Sequence, residues 1–301
     1  MSLYIETRIH GSIDELWDRT QDPALHERWD LRFSSIEYLP RPDETAPQSF
    51  LYATRIGFGL EVRGEGESIA NRTAADGMRT SSLRFWSDDG KSLIRDGAGY
   101  WQYVPGPDGV RFLTAYDYRV RFGAVGRAFD RCVFRPLIGW ATAWSFDRLR
   151  LWIEKGIDPT VSLQRSLVHA TARMAVALVW IYQGLVPKLL ARDPTEMRLL
   201  AESGIPDEVI PNMLTAIGWG EILFGLLVVF ARGSGSLLLT IVFMIVATVT
   251  VAMNSPATLT AAFNPLTLNL VVAALALIGL VTCRDLPSAR RCLRRPPEKL
   301  S

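Results

Sequence analysis

The chain has 301 residues, 33 basic and 31 acidic side chains and a net charge of +2, a balance that gives no electrostatic reason to propose nucleic acid as a partner. Residues 1–165 hold 22 basic and 23 acidic groups, whereas the remaining 136 hold 11 and 8. The 51 residues between Arg232 and Arg284 contain no Asp, Glu, Lys, Arg or His, which excludes a uniformly soluble domain and excludes disorder, and predicts a soluble domain followed by a membrane domain.

Cys132, Cys283 and Cys292 form no CxxC or Cys/His cluster, which argues against a metal site, a thioredoxin-type centre or a disulfide framework. Residues 1–10 lack the basic start and apolar core of a cleaved signal peptide, so the first domain, residues 1–157, is expected to stay in the cytoplasm. Its opening residues 3–9 alternate apolar and polar side chains, the pattern of a half-buried strand. Ser12 and Glu15 form a capping box for a helix whose buried stripe is Ile13, Leu16, Trp17 and Thr20. Asp22-Pro23 restarts the chain in a second short helix toward Trp29-Asp30. Strand-like runs follow at 49–57, 60–69, 78–86, 93–104 and 110–122, separated by tight turns such as Gly57-Phe58-Gly59 and Asp88-Asp89-Gly90, which predicts an antiparallel meander. In the last run Phe112, Thr114, Tyr116, Tyr118, Val120 and Phe122 share one face. Residues 125–154 read as a long helix with a break at Pro136.

The order of strand, two short helices, antiparallel strands and long helix resembles the helix-grip fold of the SRPBCC or START-like superfamily, the polyketide cyclase group. Ile13-Asp14-Glu15-Leu16-Trp17 and Asp22-Pro23 followed by Trp29-Asp30 carry the resemblance, which covers the whole first domain. It implies an α+β helix-grip domain, an antiparallel sheet around a long C-terminal helix, with an apolar cavity for a hydrophobic small molecule or lipid. Asp30, Arg84, Trp101, Tyr116 and Tyr118 are the candidate polar or aromatic groups of that cavity. Neither His10 nor His26 sits in a catalytic triad pattern, and a buried Tyr is more often a large apolar side chain with a satisfied hydroxyl, so a binding cavity is favoured over an active site.

The second domain, residues 165–284, contains apolar segments at 167–186, 212–230, 237–253 and 266–283, each close to the ~20 residues that cross a bilayer core. They predict an all-α four-helix transmembrane bundle. Asn254-Ser255-Pro256 stops the third, Phe263-Asn264-Pro265 restarts the fourth, and Asp193-Pro194-Thr195-Glu196 opens a short helix between the first two. The tail, residues 285–301, carries Arg290, Arg291, Arg294, Arg295 and Lys299. The positive-inside rule then places tail and first domain on the cytoplasmic side of a multi-pass inner-membrane protein. Charges within spans cost about 2.5–3.5 kcal/mol each on insertion scales and are functional candidates. His169, Arg173, Trp180 and Lys188 lie near one face of the first segment, Glu221 is the one charge of the second, and Asn269 is a polar group of the fourth. Glu221 lies roughly 15 Å and Arg173 roughly 9 Å from the cytoplasmic ends of their helices, a gap that a long arginine closes. An Arg173–Glu221 pair is expected, with Gly218 and Gly225 allowing close helix approach.

Trp180-Ile181-Tyr182-Gln183-Gly184-Leu185-Val186-Pro187-Lys188, Ala201-Glu202-Ser203-Gly204, Gly218-Trp219-Gly220-Glu221-Ile222-Leu223-Phe224-Gly225 and Phe263-Asn264-Pro265-Leu266-Thr267-Leu268-Asn269 occur in an order that resembles the DoxX-like family over essentially the whole second domain. The resemblance implies a four-helix membrane bundle. Some relatives belong to quinone-linked sulfur oxidation or to oxidative-stress complexes. Three functions are therefore weighed. The leading one is a non-catalytic membrane protein whose cytoplasmic domain binds a hydrophobic small molecule or lipid, tethered so that the ligand is concentrated beside the bilayer. The second is a membrane redox subunit with a quinone near Arg173, Glu221 and Lys188, working with a membrane redox partner. The third is a membrane-tethered cyclase or dehydratase.

Overall fold

The computed structural model describes residues 2–43, 46–57, 59–231 and 233–297. Phe58 of the expected Gly57–Gly59 turn, Arg232, and Glu298 and Lys299 of the tail lie outside the described residues. The chain divides into two compact units, one of residues 1–162 with 287–301 and the other Leu163–Leu286.

The first unit is built on a seven-stranded antiparallel sheet in the order β1-β7-β6-β5-β4-β3-β2. The strands are β1 Leu3–Ile9, β2 Ser35–Tyr38, β3 Gln48–Gly57, β4 Leu60–Thr73, β5 Arg79–Trp86, β6 Ile94–Gly106 and β7 Gly109–Val120. Between β1 and β2 come helices α1 (Ile13–Gln21) and α2 (Pro23–Trp29). Ser12 Oγ accepts from Glu15 N at 3.1 Å, but the Glu15 carboxylate accepts from Arg19 at 2.7 Å, so one half of the expected capping box is made. Asp22 ends α1 and caps α2, accepting from Ala24 N at 2.8 Å, with Pro23 opening the new helix. The four-residue β2 is a strand that alternation did not expose; it is too short to show a period.

The long helix is divided where proline dictates. Helix α3 (Gly123–Phe129) passes into a π-helical turn, Asp130–Phe134, before α4 (Arg135–Lys155). Pro136 has no N–H to donate and crowds the preceding turn, and the wider winding just before it accommodates both effects. Helix α4 packs on the inner face of the sheet: Phe112 of β7 stacks on Phe146 with ring centroids 4.5 Å apart, and Trp29, Tyr103, Leu16 and Leu149 are fully buried with them. This is the helix-grip arrangement.

Residues 287–297 are folded into this unit, where the sequence suggested a separate tail. Leu293 exchanges backbone hydrogen bonds of 2.9 Å with Glu6 of β1 in both directions. Ser288 N donates to Asp147 Oδ2 at 2.7 Å and Cys292 Sγ to Ala143 O at 3.2 Å. The contact covers the free edge of β1, which would otherwise present unpaired backbone groups.

The second unit holds four helices long and apolar enough to cross a membrane. The first is α5 (Pro159–Gln183), which continues as a π-helical segment, Gly184–Leu190. The others are α7 (Ile210–Phe230), α8 (Gly235–Asn254) and α9 (Pro265–Thr282), and the short α6 (Pro194–Glu202) precedes α7. Asn264 caps α9 by accepting from Thr267 N at 3.0 Å. The outer surface carries Leu178, Leu223, Phe230, Ile245, Leu270 and Val281, all exposed, as expected where lipid is the solvent. Val176, Ala177, Val228, Leu237 and Ala276 form the core. Gly184 and Gly218 bring α5 and α7 together so closely that a Cβ on Gly184 would stand 2.4 Å from the Gly218 carbonyl oxygen.

Candidate functional site

Helices α5 and α7 run antiparallel: Gly184 meets Gly218, Ala177 and Ile181 meet Gly225, and Arg173 reaches the carbonyls at the end of α7. Side chains on a helix lean toward its N-terminus. Lys188 therefore leans toward the level of Gly184, and Glu221, which lies beside Gly184, leans toward its own N-terminus and toward Lys188. Lys188 Nζ lies 3.1 Å from Glu221 Oε2 and 3.4 Å from Glu196 Oε2 on α6. The lysine side chain is 9% exposed. An ammonium near the end of a span ordinarily extends outward to water; this one is held between two carboxylates.

The same lean carries Arg173 away from Glu221, and the expected Arg173–Glu221 pair does not form. Arg173 donates to the backbone oxygens of Val228, Ala231 and Gly233, the last at 3.0 Å, and to Ser236 Oγ at 3.3 Å. The last carbonyls of a helix have no partner within it and carry its negative dipole end, so a cation there caps α7. His169 Nδ1 donates to Gly279 O at 2.8 Å, Trp180 Nε1 to Thr240 Oγ1 at 3.3 Å and Asn269 Nδ2 to Thr248 Oγ1 at 3.1 Å, so these three join helices. Trp180, Phe224 and Phe243 make an aromatic cluster with centroid distances of 4.8 to 5.9 Å; Trp180 is four residues before Gly184 and Phe224 three after Glu221.

The first unit offers a different surface. On the concave face of the sheet, Tyr38, Phe50, Gly66, Phe85, Gly97 and Tyr118 form one cross-strand row. The glycines lie beneath rings: a Cβ on Gly66 would be 2.2 Å from the Phe50 ring, and one on Gly97 would be 2.5 Å from the Phe85 ring. Removing alternate side chains lets the sheet curve and lets aromatic rings lie along its floor. The next row is Gln48, Ser68, Leu83, Gly99, Tyr116 and Leu3. Phe50, Tyr52, Ser68, Leu83 and Phe85 are only half-buried. The β1–β7–β6 side of the grip, by contrast, is filled by Phe112, Tyr103, Trp29 and Phe146. A separate cleft of about 580 Å³ opens at the β2–β4 end, lined mainly by residues of the opposite parity, Glu37, Leu51, Arg55, Arg63 and Glu65, and so belongs to the outer face of the sheet.

Between the filled and half-open regions lies a polar group. Arg32 binds Asp30 in a fork, Nε to Oδ1 at 2.9 Å and Nη2 to Oδ2 at 2.6 Å. His26 Nε2 donates to Asp30 Oδ2 at 3.1 Å, with its ring 5.0 Å from Trp29 and 4.9 Å from Trp101. Burial alone would raise the Asp30 carboxyl; the Arg32 charge and the hydrogen bonds of His26 and Arg32 outweigh it and hold it well below the usual carboxylate range. Burial lowers His26, against a smaller opposing pull from Asp30. The Arg32 guanidinium lies 5.7 Å from the Tyr116 ring, and the Tyr116 hydroxyl meets Thr142 Oγ1 at 3.1 Å. Tyr118 donates to Asp130 Oδ1 at 2.6 Å, and Asp130 also accepts from Arg135 at 3.1 Å. Desolvation and the neighbouring Asp130 push the Tyr118 hydroxyl up.

Of the cavity candidates, Asp30, Trp101, Tyr116 and Tyr118 are buried. Arg84 is not: it faces outward, 58% exposed, and pairs with Glu67 across the strands at 2.7 Å. The strand period explains it, because Leu83 and Phe85 take the concave face and Arg84 must take the other. Arg32 and His26 escaped sequence reading as members of the polar group. The signal was the spacing: His26 and Asp30 are four apart on a helix, and Arg32 follows on the same turn of chain.

The DoxX-like family matches residues 177–277. The uncharacterized membrane protein YndG of Bacillus subtilis strain 168 is 47% identical over 184 residues, which cover 60% of this chain and 68% of YndG. Among solved structures, a fragment of the STAR-related lipid transfer protein from Xanthomonas axonopodis is similar at 17% identity over 51% of this chain and 86% of its own, with a TM-score of 0.40. The hypothetical protein jhp0584 from Helicobacter pylori is similar at 16% identity over 51% and 86%, with a TM-score of 0.39. This chain belongs to the family of membrane proteins that includes YndG, and its apolar helices are a DoxX-like region.

Proposed function

We infer that the protein binds an apolar small molecule or a lipid on the concave face of its first unit, and that the DoxX-like helices hold this binding unit at the membrane. The single observation that carries the reading is the half-open floor of alternating aromatic residues and glycines, Phe50, Gly66, Phe85 and Gly97, bordered by one charge-matched polar group, Asp30–Arg32–His26. Such sites are mostly apolar with a few placed polar groups. The apolar part of a ligand lies along the rings, and its polar end lies toward Arg32 and Tyr116. Tethering supports the reading, because an apolar ligand partitions into the bilayer beside which the unit is fixed. The Arg-rich segment after α9 and its return to the first unit support a cytoplasmic location for both.

Photo-crosslinking in cells tests this. A photoreactive benzoylphenylalanine at Leu83, on the concave face, captures a small apolar molecule that the same residue at Arg84, on the opposite face, does not. Equal capture at both positions, or none at Leu83, overturns it.

The Lys188–Glu221–Glu196 cluster, with Phe224 one turn along α7 from Glu221, favours a second reading, a quinone-like headgroup bound in the membrane as part of a redox assembly. Quinone that co-purifies with the protein and is lost in Glu221→Gln supports it; its absence from the purified protein refutes it.

A further inference from the structure

Residues 122–140 carry the exposed face least expected of a soluble domain. Phe122, Val125, Phe129, Val133, Leu137 and Trp140 are 43% to 78% exposed. Four of them recur every four residues. In a regular α-helix such a row drifts by about 40° per step, but the wider turns of Asp130–Phe134 counter that drift at the middle of the row, keeping it close to one line. The rest of the exposed surface here is small or basic: Ala124, Ala128, Cys132 and Pro136, with Arg127 and Arg131. The one carboxylate in the segment, Asp130, is buried and bonded to Tyr118 and Arg135. Phe122 holds a left-handed backbone at φ 64°, which is rare for a bulky residue, and the residue is 59% exposed.

We propose that α3, the π-turn and the first turns of α4 dock on the membrane as an interfacial amphipathic element, with Val125, Phe129, Val133, Leu137 and Trp140 in the headgroup–acyl boundary and Arg127 and Arg131 on anionic lipid headgroups. The occupant follows from three features together. An apolar stripe with an aromatic residue on one face and arginines, two residues on from Val125 and Phe129, on the other suits the interface of a bilayer. The absence of an exposed carboxylate along 122–140 matches an anionic surface. The chain carries its own bilayer attachment through four apolar helices, so docking needs no further recruitment. The surface stands whether or not the concave face binds a ligand.

Cys132 supplies the test, since it is exposed within the element while Cys292 is buried. The full chain with Cys283→Ser, labelled at Cys132 with a polarity-sensitive fluorophore, is placed in nanodiscs of phosphatidylcholine alone or with phosphatidylglycerol. Docking predicts blue-shifted emission in the anionic discs and quenching by lipids carrying a nitroxide on the acyl chain. Each arginine near such a surface is worth a factor of about five, so Arg127→Ser with Arg131→Ser reduces the docked-to-free ratio about thirtyfold. Val125→Ser with Phe129→Ser abolishes quenching while leaving thermal unfolding of the protein unchanged. Water-like emission with no lipid quenching, or quenching indifferent to all four substitutions, overturns the proposal. Protection of the fluorophore through dimerisation or contact with the protein's own helices, seen as a blue shift without lipid quenching, overturns it as well.

Discussion

Replacing Lys188 by Met, Glu221 by Gln, and both together gives a double-mutant cycle on the ion pair in the membrane unit. At 3.1 Å two unit charges attract by about 5 kcal/mol at an effective dielectric of ~20. Removing both from water costs several kcal/mol, so the pair's net contribution is small, while breaking it one-sidedly costs about 3–5 kcal/mol. Lys188→Met leaves Glu221 and Glu196 facing each other without a cation and takes the large penalty. Glu221→Gln leaves Lys188 still paired with Glu196 at 3.4 Å and takes a smaller one, about 1–2 kcal/mol. The double variant is more stable than the sum predicts, with a coupling energy of about 1–3 kcal/mol. Thermal or denaturant unfolding in detergent, followed by tryptophan fluorescence, reads these differences. The matching cycle with Arg173→Gln and Glu221→Gln is additive within about 0.5 kcal/mol. Coupling between Arg173 and Glu221, or none between Lys188 and Glu221, refutes the assignment of partners.

Three further outcomes follow from other parts of the chain. Gly184→Leu destabilises the membrane unit, because its Cβ alone would come within 2.4 Å of the Gly218 carbonyl and 3.0 Å of Glu221 and Ile222; Gly235→Ala, where nothing lies within 4 Å, changes the unfolding temperature little. The first unit loses stability in acid in two stages. His26 is lowered in the folded state, so its contribution is complete above the unfolded value of ~6.5 and declines as pH falls below it; Asp30 is also lowered, so its contribution is complete above ~3.9 and declines below that. Circular dichroism against pH shows a shallower first stage in His26→Gln. Burial pushes the Cys292 thiol up to about 12, so a maleimide modifies Cys132 in the native protein and reaches Cys292 only after the first unit unfolds.

Much of the fold was legible because periodicity is a local signal. Alternation along 110–120 marked the inner face of β7, although Phe122, expected on the same face, lies beyond the strand and is exposed, and long apolar runs marked the four apolar helices. What escaped was set by long-range geometry. Four-residue β2 is held by its register with β3, and the segment after 286 is held by Glu6, Ala143 and Asp147. Arg84 had the right residue type for a cavity but the wrong parity along β5. Depth below the membrane surface suggested that Arg173 could meet Glu221, yet depth says nothing of the direction in which side chains lean, and that direction chose Lys188. The polar group of the first unit was half visible: Asp30 stood out, while Arg32 and His26 acquired meaning only once Trp29, Trp101 and Tyr116 surrounded them.

The concave face of the first unit is proposed to hold an apolar ligand. Native mass spectrometry of the full chain released from detergent tests it most directly, against Ser68→Trp, which places an indole beside Leu83 and Gln48 on the half-open floor. A bound molecule of discrete mass at one per chain, retained by the parent protein and lost from Ser68→Trp, is the result the account predicts. A parent protein that carries no such molecule, or a variant that retains it equally, contradicts it.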